Sequence, residues 1–225
     1  DRLWVGTQRG GLQLFDPLTG EIWRFPLENL GQSGPDATRA GAGQPPRRTV
    51  SDILAFPSGV LLLRTDSGLA RFDPASGVAD LLLPTGDDDA ARPRVKAFCT
   101  TPDGQGLLAL TDGSLALVDD SGRISQTRLV LPDSIAALEP LEDGYLAATY
   151  DAVVFLVSRD LSSSREFFRV PRGDALRSVK DLLAEPDAGG STSRIWLATS
   201  QGLYLAEFDG PRTRRVWIVP MSIGE

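Results

Sequence analysis

Leu3-Trp4-Val5-Gly6-Thr7, followed after a short gap by Gly11-Leu12-Gln13-Leu14-Phe15-Asp16-Pro17, is the stretch whose reading decides the fold. The same unit returns as Leu61-Leu62-Leu63-Arg64-Thr65 before Gly68-Leu69-Ala70-Arg71-Phe72-Asp73-Pro74. It returns more loosely as Leu107 to Thr111 before Leu115 to Asp119, and as Tyr145 to Thr149 before Val153 to Leu156. A last copy runs from Ile195-Trp196-Leu197-Ala198-Thr199 to Gly202-Leu203-Tyr204-Leu205. Five copies in register, anchored by Thr7, Thr65, Thr111, Thr149 and Thr199, make this a repeat protein.

Each copy has the same flanks. Upstream lie short apolar segments, Val50 to Phe56, Val95 to Thr100, Ile135 to Leu138 and Val179 to Ala184. The turns Pro57-Ser58-Gly59, Pro102-Asp103-Gly104 and Glu142-Asp143-Gly144 follow three of them, with the residues that tight hairpins require. Downstream come Glu21 to Phe25, Val78 to Leu83, Arg123 to Val130, Arg165 to Val170 and Thr213 to Val219. Four short antiparallel strands in roughly 40–50 residues is the pattern of a propeller blade. The expected fold is therefore an all-β propeller of five four-stranded units, the first lacking its innermost strand. The approximate units are 1–26, 49–84, 94–131, 134–171 and 177–220, with a long loop at 27–48 that lacks strand periodicity. A blade cannot cover its own two faces, so neighbours must stack. Trp4 and Trp196 share one repeat position and are expected to be buried between blades. The chain reads as an arc of a larger propeller. The alternative is a closed five-bladed ring in which Met221 and Ile223 pair beside Leu3–Thr7.

Leu3 to Pro17 resembles the two-component regulator propeller repeat, and the second and fifth copies are similar to it in weaker form. The third and fourth keep the threonine and the apolar pattern without the tryptophan. The resemblance implies about seven blades for the whole propeller, and an extracytoplasmic, periplasmic sensor portion of a hybrid histidine kinase or diguanylate cyclase. Some such sensors bind oligosaccharides. The motif defines the blade and assigns no ligand residue.

Composition narrows the chemistry. A formal charge of −7 argues against nucleic acid and anionic membrane, which need basic patches. No apolar run reaches the roughly 18–20 residues of a membrane span. Histidine is absent, which removes Ser-His-Asp, Cys-His and the usual His-based metal arrangements. Cys99 is the single cysteine and sits in an apolar strand, where packing is its expected role. Asp87-Asp88-Asp89 lacks calcium-loop spacing and reads as a solvated loop. No catalytic residue, metal or cofactor is expected.

The loops joining strands two and three, and those joining blades, gather on one face in this architecture. That face would carry Arg9, Asp66, Arg94, Asp112, Tyr150, Asp151, Arg177 and Gln201, which mix charge, hydrogen bonding and an aromatic platform suited to a small ligand. Any ordinary polar loop also carries such residues. The expected function is non-catalytic ligand sensing, with a saccharide or peptide as ligand. Neighbouring domains of the same polypeptide, and a second copy for an open arc, are the other expected partners. The competing readings are a propeller lyase or glycosidase using Asp66, Asp112 or Asp151 as acid and base, and a protein-interaction scaffold.

Overall fold

The computed structural model describes residues 2–25, 27, 30, 49–84, 93–170, 179–186, 192–200, 202–209 and 212–219. Among them there is no helix, and every strand belongs to an antiparallel meander. Blade one is β1 (Leu3–Thr7), β2 (Gly11–Phe15) and β3 (Ile22–Phe25). Blade two is β4 (Val50–Ala55), β5 (Leu61–Thr65), β6 (Gly68–Asp73) and β7 (Val78–Pro84). Blade three is β8 (Val95–Thr100), β9 (Gly106–Leu110), β10 (Ser114–Val118) and β11 (Ile124–Val130). Blade four is β12 (Ile135–Leu141), β13 (Gly144–Thr149), β14 (Val153–Ser158) and β15 (Ser164–Arg169). Blade five is β16 (Val179–Pro186), β17 (Thr192–Thr199), β18 (Gly202–Asp209) and β19 (Arg212–Val219). Among the described residues blade one has three strands and the others have four. The predicted pairing of Met221 and Ile223 lies outside the described residues.

The repeated threonine has a chemical reason. Its hydroxyl closes the turn between the second and third strands. Thr65 Oγ1 donates to the Gly68 carbonyl at 2.8 Å and accepts the Ser67 N–H at 3.2 Å. Thr7 donates to the Gly11 carbonyl and accepts the Gly10 N–H, both at 2.9 Å. Thr149 does the same with the carbonyl and N–H of Val153, and Thr199 donates to the Gly202 carbonyl at 2.8 Å. A β-branched hydroxyl residue therefore serves strand and turn at once.

The aspartate that follows the third strand closes the next hairpin. Asp16 Oδ1 accepts the Leu18 N–H and Asp73 Oδ1 the Ala75 N–H, each at 2.9 Å, while Asp119 Oδ1 accepts from Ser121 Oγ at 2.6 Å. These bonds hold all three carboxyls below the usual aspartate value: the Leu18 N–H acts first on Asp16, the Ala75 N–H on Asp73, and the Ser121 hydroxyl on Asp119. A folded pKa below the unfolded one gives stability that is complete above the unfolded value. It is lost as pH falls through the folded one. The melting temperature is expected to drop below about pH 4, and Asp73→Asn, which keeps the acceptor but does not titrate, to flatten part of that drop. A melting curve that rises on acidification through this range would contradict the assignment.

Packing follows from strand alternation. Two compact units form, one of residues 1–95 with 119–123, the other of residues 96–118 with 124–225. In the first, Leu12, Val50, Leu61, Leu63, Ala70 and Phe72 make the core. Trp4 packs against it, half-buried, with ring centroids 5.2 Å from Phe25 and 6.0 Å from Phe72 of blade two. Leu27 and Leu30 are also buried in this core. The long segment therefore begins as core, although its sequence reads as loop from residue 27. In the second unit the middle strands of blade four serve both neighbours. Tyr145 and Ala147 of β13 join a cluster with Leu107, Ala109 and Leu115 of blade three. Leu146 and Ala148, between them in sequence, join Ile195, Leu197 and Tyr204 of blade five. Both sides of the strand are dry, which is why β13 reads as a continuous apolar run.

Neither tryptophan is fully buried between blades as expected: Trp196, like Trp4, is half-buried, and the two differ in what they pack against. With Asp181, Leu182, Leu183, Ala198 and Leu203, all of blade five, Trp196 walls an apolar groove of about 330 Å³. Its indole N–H donates to Glu185 at 3.1 Å, within its own blade. The shared strand position fixes which way the ring points, while burial depends on what packs there.

Candidate functional site

The loops between second and third strands come together with the blade-joining segments in each unit. In the first unit the Thr49 hydroxyl donates to the Gln8 carbonyl at 2.7 Å, and the Thr49 N–H donates to the Asp66 carboxylate at 3.2 Å. Arg9 and Asp66 thus stand in turns tied to one joining residue, and both are exposed. Arg94, exposed, directly precedes β8.

In the second unit the geometry centres on Tyr150. The Tyr150 N–H donates to the Ser134 carbonyl at 3.2 Å, fixing the β13–β14 turn to the segment that joins blades three and four. The Leu131 N–H donates to the Gly113 carbonyl at 2.9 Å, which fixes the β9–β10 turn, with Asp112, to the same segment. Lys96 places its ammonium 5.7 Å from the centre of the Tyr150 ring, a cation–π contact across blades. The Val170 N–H reaches back to the Ala152 carbonyl at 3.0 Å, and Arg169 beside it feels the charge of Asp151. Asp112, Tyr150 and Asp151 are therefore held on one face. Arg177 and Gln201 lie outside the described residues, as does Asp87-Asp88-Asp89.

The turn carrying Tyr150 and Asp151 is strained. Ala152 holds φ 59°, the left-handed conformation that closes a three-residue hairpin and that glycine normally takes. For an L residue this costs about 1–2 kcal/mol. Strain of this kind persists where the surroundings dictate it, and it gathers at functional loops.

Sequence reading missed Lys96 because it lies in a strand. The signal was nevertheless there. All of the chain's basic residues are arginines except Lys96 and Lys180. Aligned on their following turns, Ser51, Lys96 and Ala136 occupy one register. The innermost strand bulges there in blades two and four, and again at Lys180 in blade five. Bulges re-aim side chains and recur beside binding sites.

Two titratable groups lie deeper. Burial pushes the Cys99 thiol up to about 12, with the charge of Glu139 adding to the effect, so it is an inert core residue. Burial also raises the half-buried Glu139 carboxyl, while the Ala184 N–H donating to it at 3.3 Å acts the other way. Among the described residues no group of three metal-ligating side chains occurs, and no helix is long and apolar enough to cross a membrane.

This architecture is that of a β-propeller. No protein-family model and no curated protein matches the sequence. Among solved structures, the chain is similar to the extracellular domain of BT4673 from B. thetaiotaomicron, a protein described as a hybrid two-component system. The identity is 21%, the TM-score 0.64, and the match covers 93% of this chain and 26% of that one. The chain thus spans about a quarter of that domain. It is also similar to the β-propeller domain of Cps50 (Swd1) from Myceliophteria thermophila, with 16% identity, TM-score 0.63, and coverage of 97% and 70%. The computationally designed protein Ika8 shares 12% identity at TM-score 0.55, over 96% of this chain and 58% of that one. At these identities the likeness is one of fold.

Proposed function

We propose that the chain is the extracytoplasmic, periplasmic sensing module of a bacterial membrane signalling protein, and that it binds a saccharide at the loop face of blades three to five without turning it over. The observation that carries the reading is that the turns bearing Asp112 and Tyr150-Asp151 are both bonded to the segment joining blades three and four, with Lys96 of β8 against the Tyr150 ring and the backbone strained at Ala152. An aromatic ring with an ammonium beside it and carboxylates on its own and the neighbouring turn suits a ligand with an apolar ring face and many hydroxyls. The repeat resemblance and the likeness to an extracellular domain of a two-component protein support the signalling context. Bound ligand would be reported to neighbouring domains of the same polypeptide.

Calorimetric titration against saccharide and peptide panels, with product analysis of each mixture, tests this. Saccharide binding with the ligand recovered intact is expected, weakened by Tyr150→Ala. Turnover of an oligosaccharide that Asp112→Ala or Asp151→Ala abolishes would make the chain an enzyme instead. Failure of every small ligand to bind would favour an interaction scaffold.

A further inference from the structure

We infer that a second copy of this chain docks on the apolar groove of blade five. Leu3 and Val5 of the incoming copy's blade one seat against Trp196, Ala198 and Leu203, so that copies join head to tail. This association goes beyond the sensing reading and needs no saccharide.

Strand alternation gives each blade two different faces, and stacked blades use them in a fixed order. In the five residues that end at the repeated threonine, the second and fourth face the following blade. The first and third face the preceding one. Between blades four and five, Leu146 and Ala148 hold the onward positions, and Ile195 and Leu197 the receiving ones, in a single buried cluster. Between blades one and two, Trp4 of the onward face packs on the cluster that holds Leu61 and Leu63 of the receiving face. The fourth position is small in both joints, Gly6 or Ala148, because the next blade comes close. A Cβ on Gly6 would lie 2.6 Å from the carbonyl oxygen of Val50 in blade two.

Blade five repeats the onward pattern, with Trp196 second and the small Ala198 fourth. Its face, however, is the groove of about 330 Å³. Leu203 in the groove wall is half-buried, whereas Leu12, which follows the matching glycine of blade one, is buried under blade two. Leu183 in the same wall is 57% exposed. The receiving pattern recurs in blade one, where Leu3 and Val5 hold the first and third positions. They are 54% and 38% exposed, while Leu61, Leu63, Ile195 and Leu197 in the same positions are all buried. Blade one has no innermost strand among the described residues, so the seat rests on these second-strand side chains. Each chain thus presents one open onward face and one open receiving face of a joint that its own blades already make. Exposed apolar patches mark interaction sites, and a second copy supplies the complement position by position. The two partners contribute different surfaces, so the contact propagates from copy to copy until a ring closes.

The test is sedimentation velocity of the full chain over roughly a hundredfold range of concentration, because mass action must drive such an assembly. Average mass is expected to rise with concentration. Leu183→Glu and Val5→Glu should each weaken the association about tenfold or more, since an unpaired carboxylate would be buried in an apolar seat. Both side chains are exposed in the single chain, and melting of dilute protein close to that of the parent would show that the variants fold. Cross-linking fixes the orientation. Leu183→Cys and Val5→Cys chains, mixed and treated with a flexible bis-maleimide, should give a dimer with one chain of each kind; Cys99 is buried in both. A monomer at every concentration overturns the inference, as does a mass unchanged by either glutamate. Cross-links chiefly between like variants, or absence of the mixed dimer, overturn it as well. An internal cross-link in a chain carrying both cysteine substitutions would assign the groove to that chain's own blade one instead.

Discussion

Truncating Phe72 to alanine is expected to lower folding stability by about 3–5 kcal/mol, the range for deleting a fully buried phenyl ring. Phe72 is 1% exposed, and its ring lies 5.3 Å from Phe25 and 6.0 Å from Trp4, both of blade one. It belongs to blade two but fills the joint between the two. Its loss would leave a cavity that Trp4 and Phe25 cannot both collapse into. Urea denaturation should show the midpoint falling steeply with an unchanged slope, as a pure stability loss requires. Leu18→Ala is the control, because Leu18 is 87% exposed and its truncation should change stability by less than about 0.5 kcal/mol. A Phe72 variant as stable as that control would mean that the aromatic contact is not what joins the blades.

Gly68→Ala is expected to be the most damaging single-methyl change, costing about 3 kcal/mol or more from backbone strain and displaced pairing together. Gly68 holds φ +130°, a region that L residues rarely enter. An added Cβ would also run into the carbonyl oxygen of Leu83 on β7. Gly68 pairs with Thr65 on one side and with Pro84 on the other, so no direction of relief is free. Gly59→Ala is the informative comparison. It too has positive φ, at +87°, but nothing lies within 4 Å of its added carbon. It should lose only the conformational part, about 1–2 kcal/mol. Equal losses in the two variants would show that the contact with β7 is not limiting.

The blades were legible in the sequence because their signature is chemical. A threonine whose hydroxyl closes one hairpin recurs from blade to blade, and an aspartate closes the next one in blades one to three, with Ser158 taking that place in blade four. Leu27 and Leu30 were not legible, since the Gly- and Pro-rich run that follows them masks two core residues. Trp196 misled for another reason: its sequence context matches that of Trp4, and nothing local records which neighbour covers the ring. The position of Tyr150 and Asp151 on a loop between second and third strands could be read directly. The strain at Ala152 could not, because alanine gives no sign of a left-handed backbone. Lys96 was visible only as a rare letter, because its contact with the Tyr150 ring joins two blades and no local pattern records it.

The two-sided burial of β13 has a consequence for how such a chain can change. Tyr145 and Ala147 face one blade while Leu146 and Ala148 face the other, so the strand behaves like a reading frame of two. Gaining or losing one residue inside it would shift every later side chain to the opposite neighbour and corrupt two interfaces at once. The connections have no such frame. Length variation is therefore channelled into the loops, the same segments that carry the candidate ligand face, so the parts of the chain most open to change in length are those that would set what it recognises.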